Sequence, residues 1–316
     1  LFPKLKMRQF PYADRNQFAV EIYLPEGSGL EETKKITYEL TGILEKEEKV
    51  TGVTSFIGCS SPRFHMSYAP VIAGKNFAQL IVNTESNEAS LEILDQLAPK
   101  YSNHWPNAYV RWKQMDYLPV PTYEYRFYGN NIDSIQKAAD MLMQEMRTIP
   151  ELEWVHTDYD RPSPLVEVSL DPVASSQLGI SRTSAELQLM LQTGKMQIGS
   201  IWEAGSVDGK SRTYEVPLVL KDRATEQMTF SDVDDTYLST ATGASVPLRQ
   251  VAGVAPRWGH TKIVHRNGER CISVTAEGKR GTFALDIQNR IIDYIGQMPL
   301  PRGVRAEVGG ETEENN

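Results

Sequence analysis

The strongest constraint on this fold is a strand–helix–strand pattern that occurs four times along the 316-residue chain. In each copy hydrophobic residues alternate with polar ones, then recur every three or four positions, and then alternate again. The copies cover residues 18–57, 77–112, 123–157 and 271–308. Each repeated unit must bury its apolar face against its neighbours. The repetition therefore constrains the architecture more strongly than any single motif.

Two such units in succession form a ferredoxin-like split β-α-β sandwich, in which two helices cover one side of a four-stranded antiparallel sheet. The first pair occupies residues 15–117, after a linker at 1–14. The third and fourth copies lie roughly a hundred residues apart, far beyond the usual connection length. The second sandwich is therefore predicted at 121–170 and 257–310, with an insert at 171–256. The expected fold class is α+β.

The insert has a pattern of its own. An amphipathic helix follows the phrase at 178–181 and ends at Gly194. Two strands at 198–204 and 214–220 predict a hairpin, and 246–251 predicts a last short strand. The insert is therefore expected to be a small α+β domain.

Polar residues predict where two helices of the first sandwich begin. Ser28, with Glu31 three positions later, has the pattern of a capping box, and Ser86 offers a second N-cap before Ala89. A side-chain oxygen at such a position accepts from a backbone N–H that the first helical turn leaves without a partner.

The composition excludes several classes of function. The 33 Lys+Arg against 41 Asp+Glu give a net charge of -8, which argues against binding to the phosphate backbone of nucleic acid. The chain has no Gly-x-Ser-x-Gly, no phosphate-binding loop and no zinc-like histidine spacing. We expect no enzymatic activity, no metal and no cofactor. Cys59 and Cys271 are expected to be structural thiols, with one bridge left open. Asp158, Asp160 and Asp171 with Arg161 are expected to form a surface charge set.

The chain as given is not expected to cross a membrane. No stretch approaches the roughly 18 to 20 consecutive apolar residues that span a bilayer. It opens at Leu1 without a basic region or an apolar leader, so no signal peptide is visible. The alternatives are a cytosolic protein and an excised part of a larger one.

Aromatic and methionine side chains concentrate between the first two copies. Large, weakly directional side chains of this kind suit varied lipophilic ligands. The candidates there are Phe56, Phe64, Met66, Tyr68 and Phe77. For the two strand aromatics, Phe56 and Phe77, packing of the sheet is the alternative role.

A second aromatic cluster closes the second copy. Its members are Tyr109, Trp112, Met115 and Tyr117. They could line a cleft between the two sandwiches, although packing in the core is the expected role for at least half of them.

Four phrases carry a resemblance to a known family. They are FAVEIYLPEGSGLEET at 18–33, LGIS at 178–181, VPLRQV at 246–251 and VGGE at 308–311. With the interrupted second sandwich, their order and spacing resemble the second large periplasmic loop of resistance-nodulation-division (RND) efflux transporters. The resemblance covers essentially the whole chain.

The resemblance implies a role for each part. The two sandwiches look like the C-terminal porter subdomains, and the insert looks like half of the docking funnel. The whole protein would then be a proton-driven pump in the inner membrane of a Gram-negative cell, with this chain in the periplasm. It would form a homotrimer that works with a periplasmic adaptor protein and an outer-membrane channel, and the proton-carrying residues would lie outside this chain.

The resemblance also implies ligand contacts. The segment 56–77 resembles the family's switch loop between two drug pockets, and Phe56 and Gln79 fall near pocket-lining positions. The family's loop phenylalanines fall on Cys59 and Ser61, so the chain departs from the pattern there. The expected contacts with lipophilic or amphiphilic small molecules are Phe56, Phe64, Met66, Tyr68, Phe77, Gln79 and Trp112.

Three alternatives remain open. One branch of the family exports metals through methionine thioethers, but here Leu24 occupies the first methionine position and the second lies near Gly74. Another alternative is an enzyme, which would require a pocket with perturbed acid–base groups. The last is a stand-alone ferredoxin-like sensor or binding module.

Overall fold

The chain folds into two compact units, one formed by Leu1–Ser163 with His260–Asn316 and the other by Pro164–Gly259. The computed structural model describes residues 13–63, 70, 74–115, 121–159, 162–207, 210–221, 229–260, 262–279, 282, 284–310 and 313. Three of the expected ligand contacts, Phe64, Met66 and Tyr68, therefore lie outside the described residues.

The first unit begins with a sandwich of four strands and two helices. Its elements are β1 (Gln17–Tyr23), α1 (Leu30–Leu44), β2 (Val50–Ile57), β3 (Phe77–Thr84), α2 (Asn87–Tyr101) and β4 (Tyr109–Gln114). The sheet is antiparallel with strand order β2-β3-β1-β4. This is the order expected when two strand–helix–strand units interlock, so the ferredoxin-like prediction is confirmed for this half.

The alternation along β1 explains why one face of this sheet is covered. Phe18, Val20 and Ile22 are fully buried against the helices, where they meet Leu40 and Leu44 of α1. Each large apolar side chain buried in this way stabilises the fold by about 1.5–3 kcal/mol relative to exposure. The residues between them point to the opposite face, which no helix of the sandwich covers.

The chain then starts a second sandwich and leaves it for the other unit. The first part comprises β5 (Tyr123–Tyr128), α3 (Ile132–Met146) and β6 (Leu152–Thr157). The second unit follows with β7 (Ser163–Leu170), α4 (Pro172–Gln177), α5 (Arg182–Thr193), β8 (Lys195–Val207), β9 (Lys210–Lys221), α6 (Phe230–Asp234), β10 (Tyr237–Ser239), β11 (Ser245–Pro247) and β12 (Ala252–Gly259). Strands β8 and β9 pair as the predicted hairpin.

The single strand predicted at 246–251 is wrong. Strand β11 ends at Pro247, and a 3-10 turn at Leu248–Gln250 separates it from β12. Leu248 and Val251 are fully buried, a spacing of three that fits a turn better than the two-residue period of a strand. The Leu248 N–H donates to the Thr236 carbonyl at 2.8 Å, which fixes the turn.

This second unit is longer at both ends than the predicted insert. Strands β7 and β12 pair with each other in a two-stranded sheet. Because that pairing ties residues before 171 and after 256 together, the compact unit runs over Pro164–Gly259.

The chain returns to complete the second sandwich. It adds β13 (His265–Arg266), β14 (Glu269–Gly278), α7 (Ala284–Gln297) and β15 (Arg305–Gly310). Strand β14 lies between β6 and β5, and β15 pairs with the other edge of β5, so the order matches that of the first sheet. Within the described parts of the chain, no helix has the length and apolar composition to cross a membrane.

Candidate ligand-binding cleft

The two sandwiches of the first unit enclose a cleft of about 690 Å³. One wall comes from β1, β3 and β4, and the other comes from β6, β14 and the segments beside them. On β4 and β6 the lining side chains alternate, Tyr109 with Arg111 and Trp154 with His156, as expected for the sheet faces that the helices leave uncovered.

The register of the first sheet aligns its cleft side chains in two rows. Tyr23 lies opposite both Phe77 and Tyr109, which gives an aromatic row across β3, β1 and β4. In the next row Glu21 lies opposite both Gln79 and Arg111. Directly opposed residues share a face of the sheet, so an aromatic row and a polar row run side by side.

The aromatic row continues into the second sandwich. The Tyr23 ring lies 5.0 Å from the Phe77 ring and 5.9 Å from the Tyr109 ring, measured between centroids. Tyr109 stacks on His156 of β6 at 4.6 Å, and its hydroxyl donates to the Trp154 carbonyl at 2.8 Å. Burial is the main cause that raises the pKa of both Tyr23 and Tyr109 far above the usual phenol range. Both side chains are therefore neutral donors at any physiological pH.

The polar row forms an ionic bridge between the sandwiches. The Arg111 guanidinium lies 3.6 Å from the Glu21 carboxylate on the neighbouring strand and pairs with Glu277 of β14. The other Glu277 oxygen accepts from the Thr122 hydroxyl at 2.6 Å. The side chains of Glu21, Arg111 and Glu277 are 5%, 20% and 17% exposed, so the bridge is largely removed from water. One arginine thus holds carboxylates from both halves of the unit.

The carboxylates keep Arg111 charged in spite of its surroundings. Burial works to lower the pKa of the guanidinium, but Glu277 and Glu21 outweigh it and raise that pKa. With one cation between two carboxylates, the bridge carries an excess of one negative charge.

A further carboxyl group lines the second wall. Asp158 accepts from the Ser273 N–H at 2.8 Å, and burial raises the pKa of its side chain in spite of that hydrogen bond. Lys262 lines the same cleft. The expectation that Asp158 belongs to a surface charge set is wrong, because the residue is partly buried and faces the cleft.

The residues predicted to contact ligand are distributed over both faces of the first sheet. Phe77 is 3% exposed and lines the cleft. Gln79 is fully buried, and its side-chain oxygen accepts from the Ser61 N–H at 2.9 Å. Phe56 lies opposite Gln79 on the uncovered face and packs on a small apolar cluster. Their contacts with ligand stay a prediction.

Trp112 lies on the other face of the same sheet. It is 1% exposed and stacks on Phe18 at 6.2 Å inside the core. Trp112 therefore lies away from the cleft, and almost none of its ring surface is accessible to a ligand. Of the second aromatic cluster, Tyr109 lines the cleft, while Met115 is buried in the apolar cluster beside Phe56.

Sequence reasoning included Gln79 of the polar row but missed Glu21 and Arg111. Glu21 and Arg111 lie on the uncovered face by strand alternation alone, and this was the signal that could have identified them. Glu277, His156 and Trp154 come from the other sandwich, and no local pattern links them to the first.

Sulfur donors are missing from this part of the cleft. Leu24 and Gly74, which the resemblance places at methionine positions of metal exporters, both line it. Neither supplies a thioether, and the described cleft residues include no Met or Cys. Among the described residues no group of three or more His, Cys, Asp or Glu could hold a metal. Cys59 is exposed, Cys271 is buried, and both are free thiols.

The chain has relatives among known proteins. The sequence model of the AcrB/AcrD/AcrF family matches residues 1–316. Multidrug resistance protein MdtC of Enterobacter sp. (strain 638) is 22% identical over 274 residues, which is 85% of this chain and 25% of MdtC. A heavy metal efflux pump has the same fold in two crystal forms, with TM-scores of 0.78 and 0.76 at 18% and 19% identity. These matches cover 99% and 97% of this chain but 33% and 32% of the pump.

Proposed function

Because the chain belongs to the AcrB/AcrD/AcrF family, we propose that it forms part of the ligand-binding and extrusion path of a proton-driven RND multidrug efflux permease. The observation that carries the proposal is the cleft of about 690 Å³ between two duplicated sandwiches, with an aromatic row along one wall. A space of this size and lining suits drug-sized lipophilic or amphiphilic molecules.

The remaining parts of the pump would come from outside this chain, which spans 25% of the length of MdtC. The two sandwiches would serve as porter subdomains at 15–117 and at 121–170 with 257–310, and the unit between them as half of a docking funnel. The whole permease would lie in the inner membrane of a Gram-negative cell, with this chain in the periplasm. It would act as a homotrimer with an adaptor protein and an outer-membrane channel.

This arrangement explains how a chain for which we expect no catalytic activity takes part in active transport. A ligand shifts a conformational equilibrium only by its differential affinity for the two states. The energy for a directed cycle must therefore come from elsewhere, and the resemblance to RND transporters implies that its source is proton flow through the membrane part. The task of this chain is to offer a cavity that opens, closes and empties.

No observation favours the alternatives over this proposal. The heavy metal pump matches in fold at 18% identity, and the described cleft residues carry no thioether or thiol. Another alternative is a stand-alone sensor. Such a protein would function without the parts of MdtC that this chain, which covers 25% of MdtC, does not match.

Filling the cleft tests the proposal. Thr275 lines the cleft from β14, and Thr275→Trp would occupy part of it. In an efflux-deficient host that makes the whole permease, we expect this variant to lose tolerance to lipophilic drugs. Tyr38→Trp is the matched control, because Tyr38 is 59% exposed on α1. Unchanged drug tolerance in both variants, or tolerance to metal salts alone in the unaltered permease, would contradict the proposal.

A further inference from the structure

We propose that the cleft selects its ligands by charge and prefers lipophilic cations, namely aromatic molecules with one positive group, over anions of the same shape. This inference rests on the proposed function, because it concerns the same cleft. It adds a substrate class that follows from the balance of charges along the walls.

Acidic groups outnumber basic ones among the described residues that line the cleft. Glu26, Asp158 and Glu277 line it, and Glu21 lies directly behind the aromatic row. The cationic side chains that line the described part of the cleft are Arg111 and Lys262. Among the described lining residues the count is three carboxyl groups against two cations, and the bridge already commits Arg111 to Glu277 and to Glu21 beside the cleft.

Glu26 is the carboxylate most available to a ligand. It lies on the turn after β1, where Gly27 has a φ of 88° that favours glycine. The Glu26 carbonyl accepts from the Ser163 hydroxyl at 2.6 Å, so the backbone of this turn is fixed. No cation or hydrogen-bond donor among the described residues contacts its carboxylate. A bound cation would therefore meet a negative charge that no described group compensates.

The aromatic row supplies the second element of selection. Electron-rich faces of Tyr and Trp attract cations within about 6 Å of the ring centre. Tyr23 and Tyr109 belong to that row, and Trp154 lines the cleft beside them. A flat cationic molecule can pack against this row and Trp154 while its charge lies near Glu26. An anion would gain the same packing but would lose hydration beside an excess of carboxylates, with Lys262 as its available partner.

Three xanthene dyes of nearly the same shape test this charge preference. Rhodamine 123 is a methyl ester and a cation, rhodamine 110 is the corresponding free acid and a zwitterion, and fluorescein is an anion. Their binding to the purified whole permease is measured by fluorescence polarisation. We expect affinity to fall in that order, with rhodamine 123 bound about tenfold more tightly than rhodamine 110.

A matched pair of variants localises the effect. Glu26→Gln should weaken rhodamine 123 about fivefold, the effect of one nearby charge at the dielectric of a half-buried site, and leave fluorescein no weaker. Glu92→Gln removes the same charge from α2, which covers the opposite face of the first sheet, and should change neither dye. Thermal unfolding of both variants checks that they fold.

Each outcome separates the two proposals. Equal affinities for the three dyes, or tighter binding of fluorescein, would overturn the charge preference and leave the proposed function standing if the whole permease still exports the dyes. Equal losses in Glu26→Gln and Glu92→Gln would also overturn it, because the effect would then not arise in the cleft. Failure of the whole permease to bind or export any dye would overturn both.

Discussion

Replacing Arg111 by glutamine would remove the one cation that joins the sandwiches through Glu21 and Glu277. Breaking a buried pair by removing one partner costs about 3–5 kcal/mol, because the remaining charges lose their compensation. Arg111 is 20% exposed and Glu277 17% exposed, so solvent screens part of this cost. We expect Arg111→Gln to lower the free energy of unfolding by about 2–3 kcal/mol.

Urea unfolding followed by tryptophan fluorescence measures this loss directly, and the melting temperature should fall by about 5 °C. The double variant Arg111→Gln with Glu277→Gln removes the facing carboxylate as well and should recover about 1 kcal/mol. Arg290→Gln is the control, because Arg290 is 52% exposed where it meets Glu145, and it should change stability by less than about 0.5 kcal/mol. If Arg111→Gln were as stable as this control, the bridge would not hold the sandwiches together.

Three further predictions concern other parts of the chain. Gly309→Ala would bring a Cβ to 2.6 Å from the Arg126 guanidinium carbon and should cost about 1–3 kcal/mol in urea unfolding. Because burial raises the pKa of Asp158 above its unfolded value, the charged form destabilises the fold, so the advantage of Asp158→Asn at pH 7 should shrink as the pH falls toward 4. Maleimide should label Cys59 before Cys271, whose thiol is buried and has a raised pKa.

Each of these has a control or an opposing outcome. Gly253→Ala adds a Cβ with nothing within 4 Å and should leave stability nearly unchanged. A stability gap between the Asp158→Asn variant and the parent that stays constant or widens toward acid pH would contradict the raised pKa. Mass spectrometry of the labelled protein decides the order of the thiols, and equal rates would mean that Cys271 is accessible.

Much of the fold could be predicted from hydrophobic period alone. The third copy, predicted at 123–157, begins with β5 at Tyr123 and ends with β6 at Thr157, and the first copy, predicted to end at residue 57, ends with β2 at Ile57. Helix α3 of the third copy buries one face in a core, so the hydrophobic period of its sequence follows directly from its surroundings. The sequences of exposed or irregular segments show no such hydrophobic period.

Local polar patterns were less dependable. Ser86 accepts from the Ala89 N–H at 3.2 Å, as predicted for an N-cap. The capping box predicted at Ser28 is wrong, because α1 starts one residue later, with Gly29 as its N-cap and no side-chain hydrogen bond. A cap depends on where the chain enters the helix, and the preceding turn shifts that point by a residue.

The cleft was only partly predictable for a different reason. Phe77 carried an aromatic signal of its own, whereas Glu21 and Arg111 look like ordinary solvent-facing charges on a half-buried strand. Their role depends on Glu277, which is 166 positions away from Arg111 in the chain. Only the approach of the second sandwich turns three scattered charges into one bridge.

The two-residue alternation along β1 also limits which mutations this chain can accept during evolution. Phe18, Val20 and Ile22 support the core, while Glu21 and Tyr23 face the cleft. Inserting or deleting one residue within this strand would exchange the two sets, so foldability and ligand range would be lost together. New ligand preferences can therefore arise by single replacements at the cleft-facing positions, each of which leaves the core intact.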